Sequence, residues 1–161
     1  MALRYLSKAE IAFARPVFRD SVPWFRIQLA DDLGVGDIEY TWQRTIHVGR
    51  THYPGMDASP GGRPLLIHEL THVWQHEHGA HGSAYIVGSV AAQLLHGRDI
   101  AYRYFAGRKW DDYNPEQQAM IVQDWYFKGQ SATSPLYRYI RDHIWKKTIA
   151  PDHRVEFPSA F

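Results

Sequence analysis

Cysteine is absent from this chain. That excludes disulfides and thiolate metal sites, so any bound metal ion must be held by imidazole or carboxylate. Long apolar runs are absent too, and no stretch approaches the roughly 18–20 residues of a membrane-spanning helix. The first residues, Met1 to Arg19, carry Arg4, Lys8, Glu10 and Arg15 and have no apolar centre of the kind a cleaved export signal needs. Neither sign of charge forms a long run, and the formal net charge is +1. An electrostatic footprint for nucleic acid is therefore missing. Repeats and low-complexity segments are missing as well. These absences predict a soluble, cytoplasmic protein, whose export, if any, uses a route independent of a signal peptide.

What remains is a chain of 161 residues, 45% hydrophobic and 14% aromatic, enough for one core. Ser7-Lys8-Ala9-Glu10 reads as a capping box opening a short helix that ends near Arg15-Pro16. Trp24 to Ala30 alternates, with Phe25, Ile27 and Leu29 on one side, as a half-buried strand does. Asp31 to Asp37 is a loop by composition. Tyr40 to Gly49 reads as a strand region, best at Thr45 to Val48. His52 to Arg63 is a Gly- and Pro-rich loop that can form a cleft rim. A helix is expected from Pro64 to His78, stopping at Gly79. Ser83 can cap another, Ala84 to Leu95, ended by His96-Gly97. Asn114-Pro115-Glu116 opens a helix with Asn as N-cap and Pro at the first position, and it stops near Gly129. Ser134-Pro135 starts a last one, with Leu136, Tyr139, Ile140, Ile144 and Trp145 apolar. The expected fold class is α+β, mainly helical: a single domain over 1–149 and an extended tail over 150–161.

The chemistry concentrates in Leu65 to Gln75, which contains His68-Glu69-Leu70-Thr71-His72. Two histidines four residues apart lie one turn apart on one helix face. That spacing lets both imidazoles bind one Zn²⁺ at about 2.0–2.1 Å. Glu69, next round the helix, can act as general base on an activated water. Leu65, Leu66, Leu70, Val73 and Trp74 surround this polar stripe with apolar surface. The alternative is a histidine-rich surface helix with no metal.

A catalytic zinc takes three protein ligands and keeps one position open. His76 shares the stripe but lies about 12 Å along the axis from His68 at 1.5 Å per residue. His78 stands ten residues after His68. It would need a glycine break to curl back, and Gln75 stands where that glycine would be. His81 is a weaker candidate still. Glu116, in the first turn of a later helix, can reach the ion if that helix packs on the first, and Ala119 is small enough to permit close approach. Alternatively, Glu116 only complements its helix dipole.

His68-Glu69-Leu70-Thr71-His72-Val73-Trp74-Gln75, followed by Glu116-Gln117-Gln118-Ala119, resembles the zincin metallopeptidases of the gluzincin type. More narrowly, it is similar to the short bacterial zincin-like proteins associated with Rhs and Vgr elements. Ala9-Glu10-Ile11-Ala12 and Val17-Phe18-Arg19-Asp20-Ser21 add to the likeness, which covers residues 7 to 128. The resemblance implies a zincin fold, a small twisted sheet packed on the motif helix, and a zinc ion on His68, His72 and Glu116. It also implies a link to type VI secretion, as an exported effector or an accessory. Some gluzincins carry an acidic residue four positions after the Glu ligand; here Met120 stands there, and Gln123 or Asp124 can serve instead.

The expected function is therefore a zinc-dependent peptidase acting on a peptide or protein substrate, with Glu69 moving the proton. The strand at Thr45 to Gly49 is the expected edge for an extended substrate. His143, Tyr113 and Tyr126 are candidates for oxyanion stabilisation. Two other readings stay open: a non-catalytic zinc-binding adaptor of a secretion system, and a metal-sequestering protein using His72, His76, His78 and His81.

Overall fold

The computed structural model describes residues 1–79 and 102–150. The expected helix from Ala84 to Leu95 with its Ser83 cap, the candidate His81 and the tail beyond Ala150 lie outside them. Within them, four short strands and several helices form a mixed α+β arrangement. Strand β1 (Leu3–Tyr5) leads into helix α1 (Lys8–Phe18). Then come a 3₁₀ turn (Trp24–Arg26), strands β2 (Gln28–Ala30), β3 (Tyr40–Trp42) and β4 (Thr45–His47), and a single helical turn, α2 (Gly49–His52). Helix α3 (Gly62–Glu77) carries the histidine motif. A second 3₁₀ turn (Trp110–Asp112) precedes helix α4 (Pro115–Phe127). The last element, α5 (Tyr137–Tyr139), widens into a π-type turn (Ile140–Ile144). No helix among the described residues is long and apolar enough to cross a membrane.

The sheet order is β1-β2-β4-β3. β2 and β4 are parallel, whereas β1 and β3 pair antiparallel at the two edges. This corrects the expected substrate edge. Thr45 to His47 is paired on both sides, and Val48 and Gly49 turn into α2, so the edge on this side is β3. The Tyr40 to Gly49 region is a hairpin rather than one strand. Gln43 supplies the positive φ of 55° for its two-residue turn.

Two further expectations change. α1 continues past Pro16 to Phe18, because Val17 and Phe18 are fully buried and a proline in the last turn disrupts only one bond. The Trp24 to Ala30 strand begins only at Gln28. Trp24 is buried and its indole N–H donates to the Arg19 carbonyl, which favours a 3₁₀ turn over alternation.

α3 is buried continuously from Leu66 to Gln75. A helix buried on every side is a central element, not a surface one. It packs against α4, α1 and β3. Its start depends on two glycines. Gly61 is left-handed at φ 71°, and a Cβ on Gly62 would lie 2.4 Å from the Met56 carbonyl oxygen. Gly79, at φ 63°, ends the helix as expected.

The loop feeding α3 is anchored from the N-terminus. Glu10 completes the Ser7 capping box, pairs with Arg4 through two bonds of 2.8 Å, and accepts the Met56 N–H at 2.9 Å. Arg4 also donates to the Tyr53 carbonyl. Burial pushes the Glu10 carboxyl up, but Arg4 and the Met56 and Ser7 amides outweigh it and hold it below the ordinary glutamate value. A depressed folded pKa stabilises the fold above the unfolded value, and that stability is lost as pH falls through the folded one. Glu10→Gln is expected to cost about 2–3 kcal/mol at neutral pH and to flatten the acid limb of the stability curve, read by denaturant titration between neutral and acid pH.

Candidate metal centre

Helical spacing puts His68 and His72 on one face of α3, with their rings 5.1 Å apart. Asn114 caps α4 and, with Gln117, forms a reciprocal capping box, which orients its first turn and hence Glu116. The packing of α4 on α3 then brings the Glu116 carboxylate to both rings. One oxygen lies 3.0 Å from His68 Nε2 and the other 3.3 Å from His72 Nε2. Among the described residues this is the group of metal-capable side chains that could share an ion, its donor atoms all within 4.8 Å of one another. His68, His72 and Glu116 are buried, at 5–6% exposure.

Electrostatics make the cluster tight even without an ion. Burial opposes a charged His72, yet the charge and hydrogen bond of Glu116, helped by Glu69 and Gln75, raise it to about 9. Burial likewise opposes an ionised Glu116, but His72 and His68 hold its carboxyl well below the usual range.

The outer nitrogens test whether a metal fits. His68 Nδ1 lies 3.1 Å from the Gln123 side-chain oxygen, and His72 Nδ1 lies 2.8 Å from that of Gln75. Each ring thus faces an acceptor on both sides. Satisfying all four contacts with protons would require two imidazolium rings side by side in a buried site, which is costly. A divalent cation in place of the two Nε2 protons satisfies the same donors from one centre, so the donor set fits an ion.

Glu69 is buried beside this cluster but does not join its three donors. Thr41, on β3, donates its hydroxyl to one Glu69 carboxylate oxygen at 2.7 Å. The motif glutamate is therefore fixed to the edge strand, and one of its oxygens already has a partner.

The other expected residues sit elsewhere. His78 donates from Nε2 to the Ser21 carbonyl at 2.7 Å and packs on Trp74, at the far end of α3 from His68. His76 is half-buried in the last turn of α3 and stays outside the cluster. Of the two proposed supports, Gln123 reaches His68, whereas Asp124 accepts from the Tyr104 hydroxyl at 2.6 Å. The oxyanion candidates are engaged in packing. His143 stacks on Trp110, Tyr113 bonds to Tyr139 and the Phe105 carbonyl, and Tyr126 packs on Phe13. Tyr102, which the sequence does not single out, places its ring 5.6 Å from that of His68.

Comparison with known proteins follows the same residues. Residues 31–80, from just after β2 through α3, match the eCIS core domain family. A solved structure, the effector domain of Pseudomonas aeruginosa VgrG2b, has a TM-score of 0.65 and 33% identity, covering 86% of this chain and 82% of that one. The type VI secretion system spike protein VgrG2b of Pseudomonas aeruginosa is 36% identical over 140 residues. That alignment covers 78% of this chain but 13% of the spike protein, so the chain spans a small part of that relative.

Proposed function

Because this chain belongs to the family of the VgrG2b effector domain, we propose that its buried cluster makes it a zinc-dependent peptidase associated with type VI secretion. The observation that carries this reading is the convergence of His68, His72 and Glu116 next to a Glu69 held by the edge strand. A zincin fold accounts for that arrangement, with a small sheet packed on the motif helix and the third ligand supplied by a later helix. Two imidazoles and a carboxylate form a donor set suited to zinc, and three protein ligands leave a position open for chemistry. A purely structural zinc site is usually closed by four ligands and needs no base, which favours catalysis over an adaptor role.

When bound, zinc lowers the pKa of a water toward 7 and polarises a substrate carbonyl. The chain's own groups do the rest. Glu69 takes a proton as the water oxygen bonds to the carbonyl carbon, and returns it to the amine as the C–N bond breaks. The Thr41 hydroxyl keeps Glu69 in one orientation during both transfers. β3 offers an edge on which an extended peptide can add as a strand, running past Glu69. Exposed Trp42 lies on that strand.

Removal of the metal tests the reading. The purified chain is expected to hold one equivalent of zinc and to cleave members of a mixed peptide library. Chelation should abolish cleavage, and added zinc should restore it. Cleavage that survives complete metal removal would overturn the proposal.

A further inference from the structure

Behind His72 runs a line of buried amides. Gln75, one turn on along α3, places its side-chain oxygen 2.8 Å from His72 Nδ1. The Gln75 side-chain nitrogen donates to the Pro115 carbonyl at 3.1 Å and to the Gln118 side-chain oxygen at 3.0 Å. The Gln118 side-chain nitrogen donates to the Trp110 carbonyl at 3.1 Å. Gln75 and Gln118 are both 1% exposed.

This line has a direction. The Trp110 and Pro115 carbonyl oxygens can only accept, so each glutamine must turn its NH₂ toward them. The Gln118 oxygen then faces Gln75, and the Gln75 oxygen faces His72. An oxygen at that point demands a hydrogen on His72 Nδ1, so an ion can be taken only through Nε2, in place of the proton that Nε2 shares with Glu116. Reversing any one amide would set two donors or two acceptors against each other at a buried site, which is costly.

We propose that Gln75 and Gln118 are positioning residues that set the tautomer of His72, with the Trp110 and Pro115 carbonyls as the fixed ends of the relay. The inference rests on the zinc reading above and deepens it. The relay links α3, the start of α4 and the 3₁₀ turn at Trp110, so the register of α4 that delivers Glu116 is the register that orients His72. Both ligands are then set by one packing contact. Outer hydrogen-bond partners of ligating histidines fix the ring and raise its basicity, and their loss costs about 10–100-fold in metal affinity.

The test uses the full chain, zinc alone and a competing chelator of known affinity. Gln75→Ala is expected to weaken zinc binding about 10–100-fold. Gln118→Ala, which touches no ligand, should weaken it as well. The double variant should bind no more weakly than Gln75→Ala alone, because the two act through one line. A second measurement needs no variant. In the zinc-loaded wild-type chain labelled with ¹⁵N at histidine, His72 should show a protonated Nδ1 and a metal-bound Nε2 in long-range ¹H–¹⁵N spectra. Tight zinc binding by wild type with unchanged affinity in both variants, or a His72 bound through Nδ1, would overturn the relay and leave the zinc reading standing. A wild-type chain that binds no zinc would overturn both.

Discussion

Glu69→Gln is expected to lower peptide hydrolysis about 10²–10⁴-fold while one equivalent of zinc stays bound. The substitution is nearly isosteric. The amide oxygen can still accept from the Thr41 hydroxyl, so the bond at 2.7 Å is retained and the side chain stays where it was. What the amide cannot do is take up a proton. Because Glu69 is not one of the three converging donors, metal content should not follow activity. Thr41 engages one carboxylate oxygen, and the other is the base of the proposed mechanism, so neutralising this single group should have a large effect. Measuring kcat/KM beside zinc content separates the two roles. Full activity in Glu69→Gln would place the base elsewhere, and loss of zinc would make Glu69 part of the ligand set.

The second large effect is expected at the carboxylate of the cluster. Glu116→Ala should remove zinc binding by more than the roughly 10–100-fold that losing an outer hydrogen-bond partner costs. Glu116 touches both imidazoles, so the substitution removes one of the three converging donors and the carboxylate that bridges the two rings. In the metal-free chain it should also cost roughly 3–5 kcal/mol, as expected when one partner of a buried ion pair is removed. Burial would then dominate at His72 and push it down from its raised value. Zinc titration and denaturant unfolding of the metal-free protein check the two parts. His76→Ala, by contrast, should leave zinc affinity unchanged. Several ions bound independently of Glu116 would favour the histidine-rich sequestering reading instead.

The motif helix and the placement of Glu116 in a first helical turn were legible because those signals are local, whereas the meeting of Glu116 with the histidines depends on the packing of α4 on α3. Histidines four apart on a helix must share a face. An Asn-Pro-Glu start presents its glutamate in the first turn whatever the rest of the chain does. The N-terminal capping box and the Gly79 stop are equally local, and each is found where the sequence puts it. Illegible were the contacts that depend on pairing. Thr41 lies 28 positions from Glu69 and looks like any strand threonine. Gln75 stands out in the sequence only for occupying a position where a glycine would have redirected the chain, and nothing local links it to Gln118. The strand edge was misplaced because four short strands leave little alternation to read, and their order depends on a parallel pairing of β2 with β4 that skips β3. Pro16 shows the same limit from the other side: a strong local stop yields to two buried side chains beyond it.

The hairpin of β3 and β4 touches α3 at two levels. Thr41 is bonded to Glu69 in mid-helix, while Arg44, at the hairpin turn, pairs with Glu77 at the helix end through two hydrogen bonds. Eight residues separate the two attachment points on α3, about 12 Å along its axis. A body pinned at one point can swing like a flap, but one pinned at two separated points cannot pivot about either. The hairpin is therefore a fixed jaw that travels with the helix it is bolted to. The two attachments also hold the spacing of Thr41 and Glu69, so that distance acts as a built-in ruler set by the hairpin and the helix together.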